Sequence, residues 1–425
     1  MSSVVAADLT GATTPGAEAR IASAPGPIRP ALPTAVDIAI IGSGCSGLAT
    51  AVRLAGQPSQ PTVLVLEGRR TPDPRSWCSW DDGSDPLPEA RSASWDRWEV
   101  RTDHGTSVGS DPDHPYVLVR ASNRRAAAER RLHGTSITVI DGTPVRNVTA
   151  SGDNALIHIP NGTVRAETVL DARGPHCPEH VEPGRVLLHQ RFIGQWITTT
   201  RPVFDTTTVT LMDFTDQQAG GAVRFIYVLP TSPTVALVES TLFTADGDEP
   251  FDHIAHIVNY VQRRWGLSTN EWQVGDEETG CIPMTDAPPA QLTGRTFTQM
   301  PSAVIGTTRP SSGYGFARSN RHSIVLAQNL AGGEPIPVFQ DRARTRFLDA
   351  VFLRFLRDRP EHAAEAFRRL LALHGPLVVR FMTERSTLLD DLRIVLALQK
   401  RPFLHALVCT ISDTLRRRQH GRVSG

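Results

Sequence analysis

Between Val36 and Glu67 the chain runs Val36-Asp-Ile-Ala-Ile-Ile-Gly42-Ser-Gly44-Cys-Ser-Gly47, continues through a helical stretch, and closes on Val63-Leu-Val-Leu-Glu67. Few folds fit this order of parts. An apolar run (Val36 to Ile41) enters a turn whose glycines have GxGxxG spacing. A helix is expected over Leu48 to Leu54, then a second apolar run. Gly42 permits the tight turn, Gly44 lets the backbone approach a pyrophosphate, and Gly47 allows close helix–strand packing. The helix N-terminus would face the phosphate charge. Glu67 lies 20 residues past Gly47, where an acid accepts hydrogen bonds from a ribose. The alternative is a Gly-rich turn in some other α/β unit.

At 425 residues the chain is long enough for a large core and two interleaved domains. Lys+Arg and Asp+Glu balance at 44 each, which argues against a nucleic-acid binder. Lys400 is the only lysine, a bias of coding rather than function. The five cysteines form no CxxC pair and suit a reducing cytoplasm without structural zinc. The 14 histidines show no metal-ligand spacing, so no metal site is expected. No apolar run reaches the ~20 residues of a spanning helix. Residues 1–34, rich in Ala, Pro, Thr and Ser, read as a disordered leader.

The middle of the chain is β-rich. Strands are expected at Ser136 to Ile140, Ala155 to Ile159, Thr168 to Leu170, Thr206 to Phe214, Val223 to Leu229 and Thr234 to Leu242. From Asp341 onward apolar residues recur at three and four, the helical spacing. Two further segments suit cofactor contacts. One is a strand ending in Asp171, Arg173 and Gly174, for which an ordinary turn is the alternative. The other is a strand running into Gly306, followed by Pro310, Gly313, Tyr314 and Gly315 before a helix. Flavin hydroxylases place an Asp after the glycine of that strand; here Thr307 takes its place.

Six ordered blocks resemble one family, the flavin-dependent lycopene cyclases of bacteria and plants. They are the nucleotide fingerprint; Arg75-Ser-Trp-Cys-Ser-Trp80; Thr210-Leu-Met-Asp-Phe214 with Phe225-Ile-Tyr-Val-Leu-Pro230; Ala236-Leu-Val-Glu-Ser-Thr241; Gly280-Cys-Ile-Pro-Met284; and Arg309-Pro-Ser-Ser-Gly-Tyr314. The resemblance implies an α/β fold: a glutathione-reductase-type FAD-binding Rossmann domain, an antiparallel β-sheet substrate domain and a helical C-terminal region. The expected boundaries are 35–180 and 301–340 for the FAD domain, 181–300 for the sheet and 341–425 for the helices. Two departures stand out. Where the family often has a second acid, this chain has Ser240, and where it commonly has His or Lys, this chain has Arg309.

The implied chemistry is isomerisation of lycopene. A ψ end group is protonated at its C1=C2 double bond, the tertiary cation is attacked by C5=C6, and a proton is lost. Loss from C6 gives a β ring and loss from C4 an ε ring. Glu239, the only charged residue from Thr231 to Leu242, fits the acid. A carboxyl on an apolar strand resists ionisation. The alternative is an exposed Glu whose neighbours point the other way, since strand alternation permits either. Asp213 is a candidate second negative group near the cation, or else a satisfied strand-end Asp. Trp77, Trp80, Phe225, Tyr227 and Tyr314 would line a polyene channel, with core packing as the alternative. The resemblance also implies FAD in reduced form with NADPH as reductant. No second GxGxxG is present, so NADPH would dock transiently. The basic C-terminal region carries 17 Arg and Lys against nine Asp and Glu. An ordinary solvated basic face is the alternative; the bilayer location of the implied substrate favours peripheral attachment to the inner, cytoplasmic face of the cell membrane. Other functions left open are a same-fold cyclase of another polyprenyl substrate and an FAD-dependent monooxygenase. Thr307 and Glu239 both count against the monooxygenase.

Overall fold

The computed structural model describes residues 32–423, apart from 72, 175–177, 179, 217–220, 289–301 and 338. Most of the expected leader therefore lies outside the described residues. The chain begins with β1 (Ala35–Ile41), α1 (Cys45–Ala55) and β2 (Val63–Leu66). All four β2 residues are buried, the mark of a strand covered on both faces. Then come β3 (Ser76–Trp80), β4 (Ala93–Trp95), the hairpin β5 (Arg97–Thr102) and β6 (Gly105–Ser110), β7 (Tyr116–Arg120) and α2 (Ala121–Leu132). Next are β8 (Ile137–Ile140), β9 (Asn147–Ser151), β10 (Asn154–Ile159) and β11 (Gly162–Asp171).

Strands β8, β2, β1 and β11 lie side by side in parallel. The first half of β11 also pairs antiparallel with β10, and its end pairs in parallel with β17 (Ser302–Val304). Helix α1 and the later α4 (Phe316–Ala331) cover one face through Ile38, Ile40, Leu54, Val65 and Leu326. Residues of β10 and β11 fold over the other, against Ala39, Ile41, Leu64 and Leu66. This is a Rossmann-type sheet, and β1 and β2 end in register, Ile41 opposite Leu66. The turn of Gly42 and Glu67 thus sit side by side at the strands' carboxyl ends, where such sheets bind ligands.

The second large sheet is built from β12 (Leu187–Thr199), β13 (Thr208–Asp213), β14 (Val223–Ser232), β15 (Val235–Thr244) and β16 (Trp272–Thr285). Its order is β16-β12-β15-β14-β13-β5-β6. It is antiparallel except where β5 runs parallel to β13. It takes its last two strands from residues 97–110, so the chain enters this sheet, leaves it for the first and returns. Helix α3 (His253–Trp265) packs on one face. Asp252 caps its start by accepting from the Ala255 N–H, and Gly266 ends it at φ 63°.

The opposite face meets α5 (Ala343–Asp358), α6 (Ala363–Leu371), α7 (Gly375–Met382), α8 (Leu388–Ala397) and α9 (Lys400–Val423). The main core lies at this junction. There Trp98 is fully buried, and its indole N–H donates to the Leu371 carbonyl at 3.0 Å. Helix α8 starts at a capping box, in which Thr387 accepts from the Asp390 N–H while the Asp390 carboxylate accepts from the Thr387 N–H.

Candidate active site

A cavity of about 1080 Å³ runs between the two sheets and under the C-terminal helices. It is larger than typical sites for drug-sized ligands (about 300–1,000 Å³). One end is formed by Gly42, Gly44, Cys45, Ser46 and Glu67. Gly42 holds φ 103°, a conformation few other residues adopt. A Cβ on Gly47 would stand 2.0 Å from the Gly42 carbonyl oxygen, so only glycine lets α1 pack this closely on the turn. Gly47 itself does not line the cavity; it shapes the turn that does. Helix α1 starts at Gly44 with no side-chain cap and no acid in its first turn. Its free N–H groups and the positive end of its dipole are available to an anion.

Glu67 accepts hydrogen bonds from the Ser43 amide and hydroxyl, both at 3.0 Å, and from the Arg69 amide at 3.0 Å. Partial burial alone would raise its pKa. The Arg69 and Ser43 bonds and the Arg69 charge outweigh that and hold the carboxyl below its ordinary value. An ionised acceptor at this point suits a ribose hydroxyl.

The return segment contributes Gly306, Thr308, Arg309 and the run from Ser311 to Phe316. Its helix α4 starts at Gly315 with neither a side-chain cap nor an acid in the first turn. A second uncapped helix N-terminus therefore faces the same cavity. Pro310 and Thr307 do not line it. Arg173 and Gly174 do, whereas Asp171 stands behind them, buried, its carboxylate accepting from the Arg173 Nε at 2.8 Å. Asp171 braces the wall and does not itself line the cavity. Arg309 is 2% exposed. It donates to Asp349 Oδ1 from Nε at 3.1 Å and to the Phe381 carbonyl from Nη1 at 2.6 Å. It pins the return loop to the helices beneath.

The other end of the cavity is the second sheet. Strand β15 lies between β12 and β14, so it is not an edge. Leu237, Glu239, Thr241 and Phe243 line the cavity. Ser240 points the opposite way, fully buried, with its hydroxyl 2.9 Å from His253 Nδ1 and 2.8 Å from His256 Nδ1. Glu239 is half-buried, in the cavity wall. Burial pushes its pKa up to about 8, the nearby Glu278 charge adds to the rise, and the Thr241 hydroxyl, donating at 2.7 Å, opposes it. The carboxyl is therefore largely protonated at neutral pH.

Tyr227 sits directly opposite Glu239 on β14. Its hydroxyl is 2.8 Å from that of Tyr116, which is 2.9 Å from that of Tyr314 in the return loop. Burial, first among the causes, raises all three phenols far above their ordinary value, so they stay neutral. Trp80 packs edge-on against Tyr116 at 4.8 Å between centroids. Trp77, Trp80, Phe225, Tyr227 and Tyr314 all line the cavity, which supplies π faces for a cation.

Asp213 does not belong to this group. It is 1% exposed and absent from the cavity wall. Its Oδ2 accepts from the Tyr260 hydroxyl at 2.8 Å and lies 3.1 Å from the Arg101 Nε. Its Oδ1 accepts from the Thr215 amide and hydroxyl. The expectation of a catalytic role fails because β13 carries an irregularity between Thr210 and Asp213. Leu211 and Met212 both face the cavity, and Asp213 is turned toward α3. Among the cavity residues not expected from the sequence are Glu278 on β16 and Gln190 on β12. Gln190 has a buried Oε1 without a hydrogen-bond partner, beside Gly313. The pairing of β16 with β12 puts Glu278 on the strand face of Ile282 and Met284.

The family model described as "Lycopene cyclase protein" matches residues 37–408. A lycopene beta-cyclase from Paracoccus sp. (strain N81106 / MBIC 01143) is 26% identical over 401 residues, covering 88% of this chain and 96% of that protein. Among solved structures, a geranylgeranyl bacteriochlorophyll reductase-like protein from Thermoplasma acidophilum aligns at TM-score 0.57 and 13% identity, over 88% of this chain and 99% of that one. A halogenase in complex with FAD aligns at TM-score 0.51 and 12% identity, over 81% and 78%. These two likenesses establish the Rossmann-type fold, shared with a halogenase that binds FAD. With its sequence matched from Asp37 to Val408, the chain belongs to the lycopene cyclase family.

Proposed function

We propose that this chain converts the ψ end groups of lycopene to β rings, an isomerisation with no net redox change. The observation that carries the reading is Glu239, a neutral carboxyl held on the cavity face of a buried strand. Glu239 adds its proton to C2 of the terminal double bond. The cation at C1 is captured by C5=C6, the C1–C6 bond forms and the charge moves to C5. Loss of the C6 proton restores a C5=C6 double bond. The aromatic walls shield the cation, and the apolar lining of the cavity excludes water that would otherwise trap it.

The residues fit FAD. Gly42, Gly44 and the α1 N-terminus would hold the pyrophosphate, Glu67 the ribose, and Gly306, Gly313 and Gly315 the far end, where the Gln190 Oε1 lacks a partner. When bound and reduced, the flavin would supply negative charge that stabilises the forming cation. NADPH is the proposed reductant, docking transiently.

The substrate's lipid location fits the surface of α8 and α9. Leu388 is 72% exposed, Leu396 63% and Leu404 60%. Arg393, Lys400 and Arg401 are exposed among them. Val395 and Leu404 also line the cavity, so the apolar surface runs into its wall. Exposed apolar faces with basic neighbours mark membrane contact. Among the described residues no helix is long and apolar enough to cross a membrane. Peripheral attachment at the cytoplasmic face is the proposed arrangement.

Expression in a lycopene-accumulating bacterium tests both parts. Chromatography of the pigments should show β-ring carotenoids, and the protein should sediment with membranes. Leu396→Glu combined with Leu404→Glu should release it into the supernatant. Unchanged lycopene would overturn the cyclase reading; wild-type protein found only in the supernatant would overturn the attachment.

A further inference from the structure

Glu278 lies in the cavity wall, 3% exposed, and its Oε2 has no hydrogen-bond partner. Sheet register places it in one row with Glu239. Gly194 on β12 is directly opposite Glu239 on β15 and directly opposite Glu278 on β16. Opposed residues share a sheet face, so both carboxyls point into the cavity across a residue without a side chain. A Cβ at Gly194 would stand 3.2 Å from Glu278 Cγ and 3.4 Å from Glu239 Cβ. Leu237 Cδ1 would be nearer still, at 3.0 Å, so a side chain at residue 194 would crowd all three.

We infer that Glu278 is the base of the cyclisation: its carboxylate accepts the proton that leaves C6 and returns it to Glu239. This rests on the cyclase reading and assigns its second half-step. The balance closes within the pair. Glu239 loses a proton to C2, Glu278 gains one from C6, and transfer from Glu278 to Glu239 restores the starting state with no electrons exchanged.

A charge on Glu278 raises the pKa of Glu239, so ionising one disfavours ionising the other. Burial pushes Glu278 to about 7, with Ser76 and Arg120 opposing and Asp73 adding to the rise. Glu239 stands at about 8. Between about 7 and about 8 the pair therefore holds one proton, one acid and one base lining the same cavity. The other charged or titratable groups around Glu278 are Arg75 from the loop before β3 and Cys78 on β3. On its own strand, Glu277 accepts from the Gln195 amide at 2.9 Å, and Asp276 bonds Arg120. Both neighbours are thus engaged elsewhere.

The test compares Glu278→Gln and Glu278→Asp with wild type in liposomes carrying lycopene, across pH 5 to 10. Wild-type kcat/KM should be bell-shaped. It should fall below about 7 as Glu278 takes up a proton and above about 8 as Glu239 loses one. Glu278→Gln should lose at least ~10²-fold in rate at unchanged flavin content. Its acidic limb should vanish, and its basic limb should move to lower pH because a charge that raised Glu239 is gone. Part of its residual product should carry ε rings, formed by loss of the C4 proton. Glu278→Asp should restore the acidic limb and the β ring at reduced rate. A wild-type rate and an unchanged bell in Glu278→Gln, with wild type cyclising normally, would overturn this inference alone. So would equal rate losses in both variants with the bell and the β ring intact, the pattern of a purely structural role. Wild type that forms no ring at all would overturn the cyclase reading and this inference with it.

Discussion

Glu239→Gln is expected to lower ring formation at least ~10²-fold while leaving fold and flavin content unchanged. The reason is the state of the carboxyl it replaces. Glu239 is half-buried in the cavity wall and mostly neutral at pH 7, so a neutral amide of the same size adds no buried charge. The Thr241 hydroxyl, which now donates to Oε1, can donate to the amide oxygen instead. Only the acidic proton is lost. Glu239→Asp keeps the acid but draws it back one methylene and should retain partial activity at most. Single-turnover assays with protein of matched flavin content check both. A wild-type rate in Glu239→Gln would mean that the proton comes from elsewhere.

The second large effect is expected at the dinucleotide turn, where two neighbouring glycines should fail in different ways. A Cβ at Gly44 meets nothing within 4 Å, so Gly44→Val should fold normally. Its side chain would fill the space before the free N–H groups of α1, where the pyrophosphate belongs, and stoichiometric FAD should be lost. A Cβ at Gly47 has no such space, because the Gly42 carbonyl oxygen stands 2.0 Å away. Gly47→Val should therefore yield little soluble protein. Flavin absorbance and thermal melting of the two variants separate these outcomes. Retained stoichiometric FAD in Gly44→Val would remove the turn from the binding site.

The turn was legible because all its parts are contiguous: strand, glycines, helix and acid fall within about one supersecondary unit, and local sequence dictates local geometry there. Glu239 was legible for a related reason, as a lone charge on an apolar strand. Asp213 was misread because the irregularity in β13 shifts the alternation by one, and no local residue signals it. Glu278 was missed because Gly275-Asp-Glu-Glu-Thr-Gly280 reads as a polar turn. Only the pairing of β16 with β12 places one of those acids on the cavity face. Strand β12 was itself hidden by His189, Gln190, Arg191 and Gln195, polar residues that break an apolar pattern. Contacts that depend on long-range register are the ones single-strand patterns cannot show. The brace formed by Asp171 and Arg173 is a milder case, since sequence placed both at the strand end without showing which one faces inward.

The most direct measurement is anaerobic conversion of lycopene in liposomes by protein carrying reduced FAD, with the product mass and the NADPH consumed both recorded. The expected product is a β-ring isomer with the mass of lycopene, formed over more turnovers than the reductant oxidised. A product heavier by two hydrogens, or no product until oxygen is admitted and then one heavier by an oxygen atom, with NADPH oxidised one for one, would contradict acid-initiated cyclisation at Glu239.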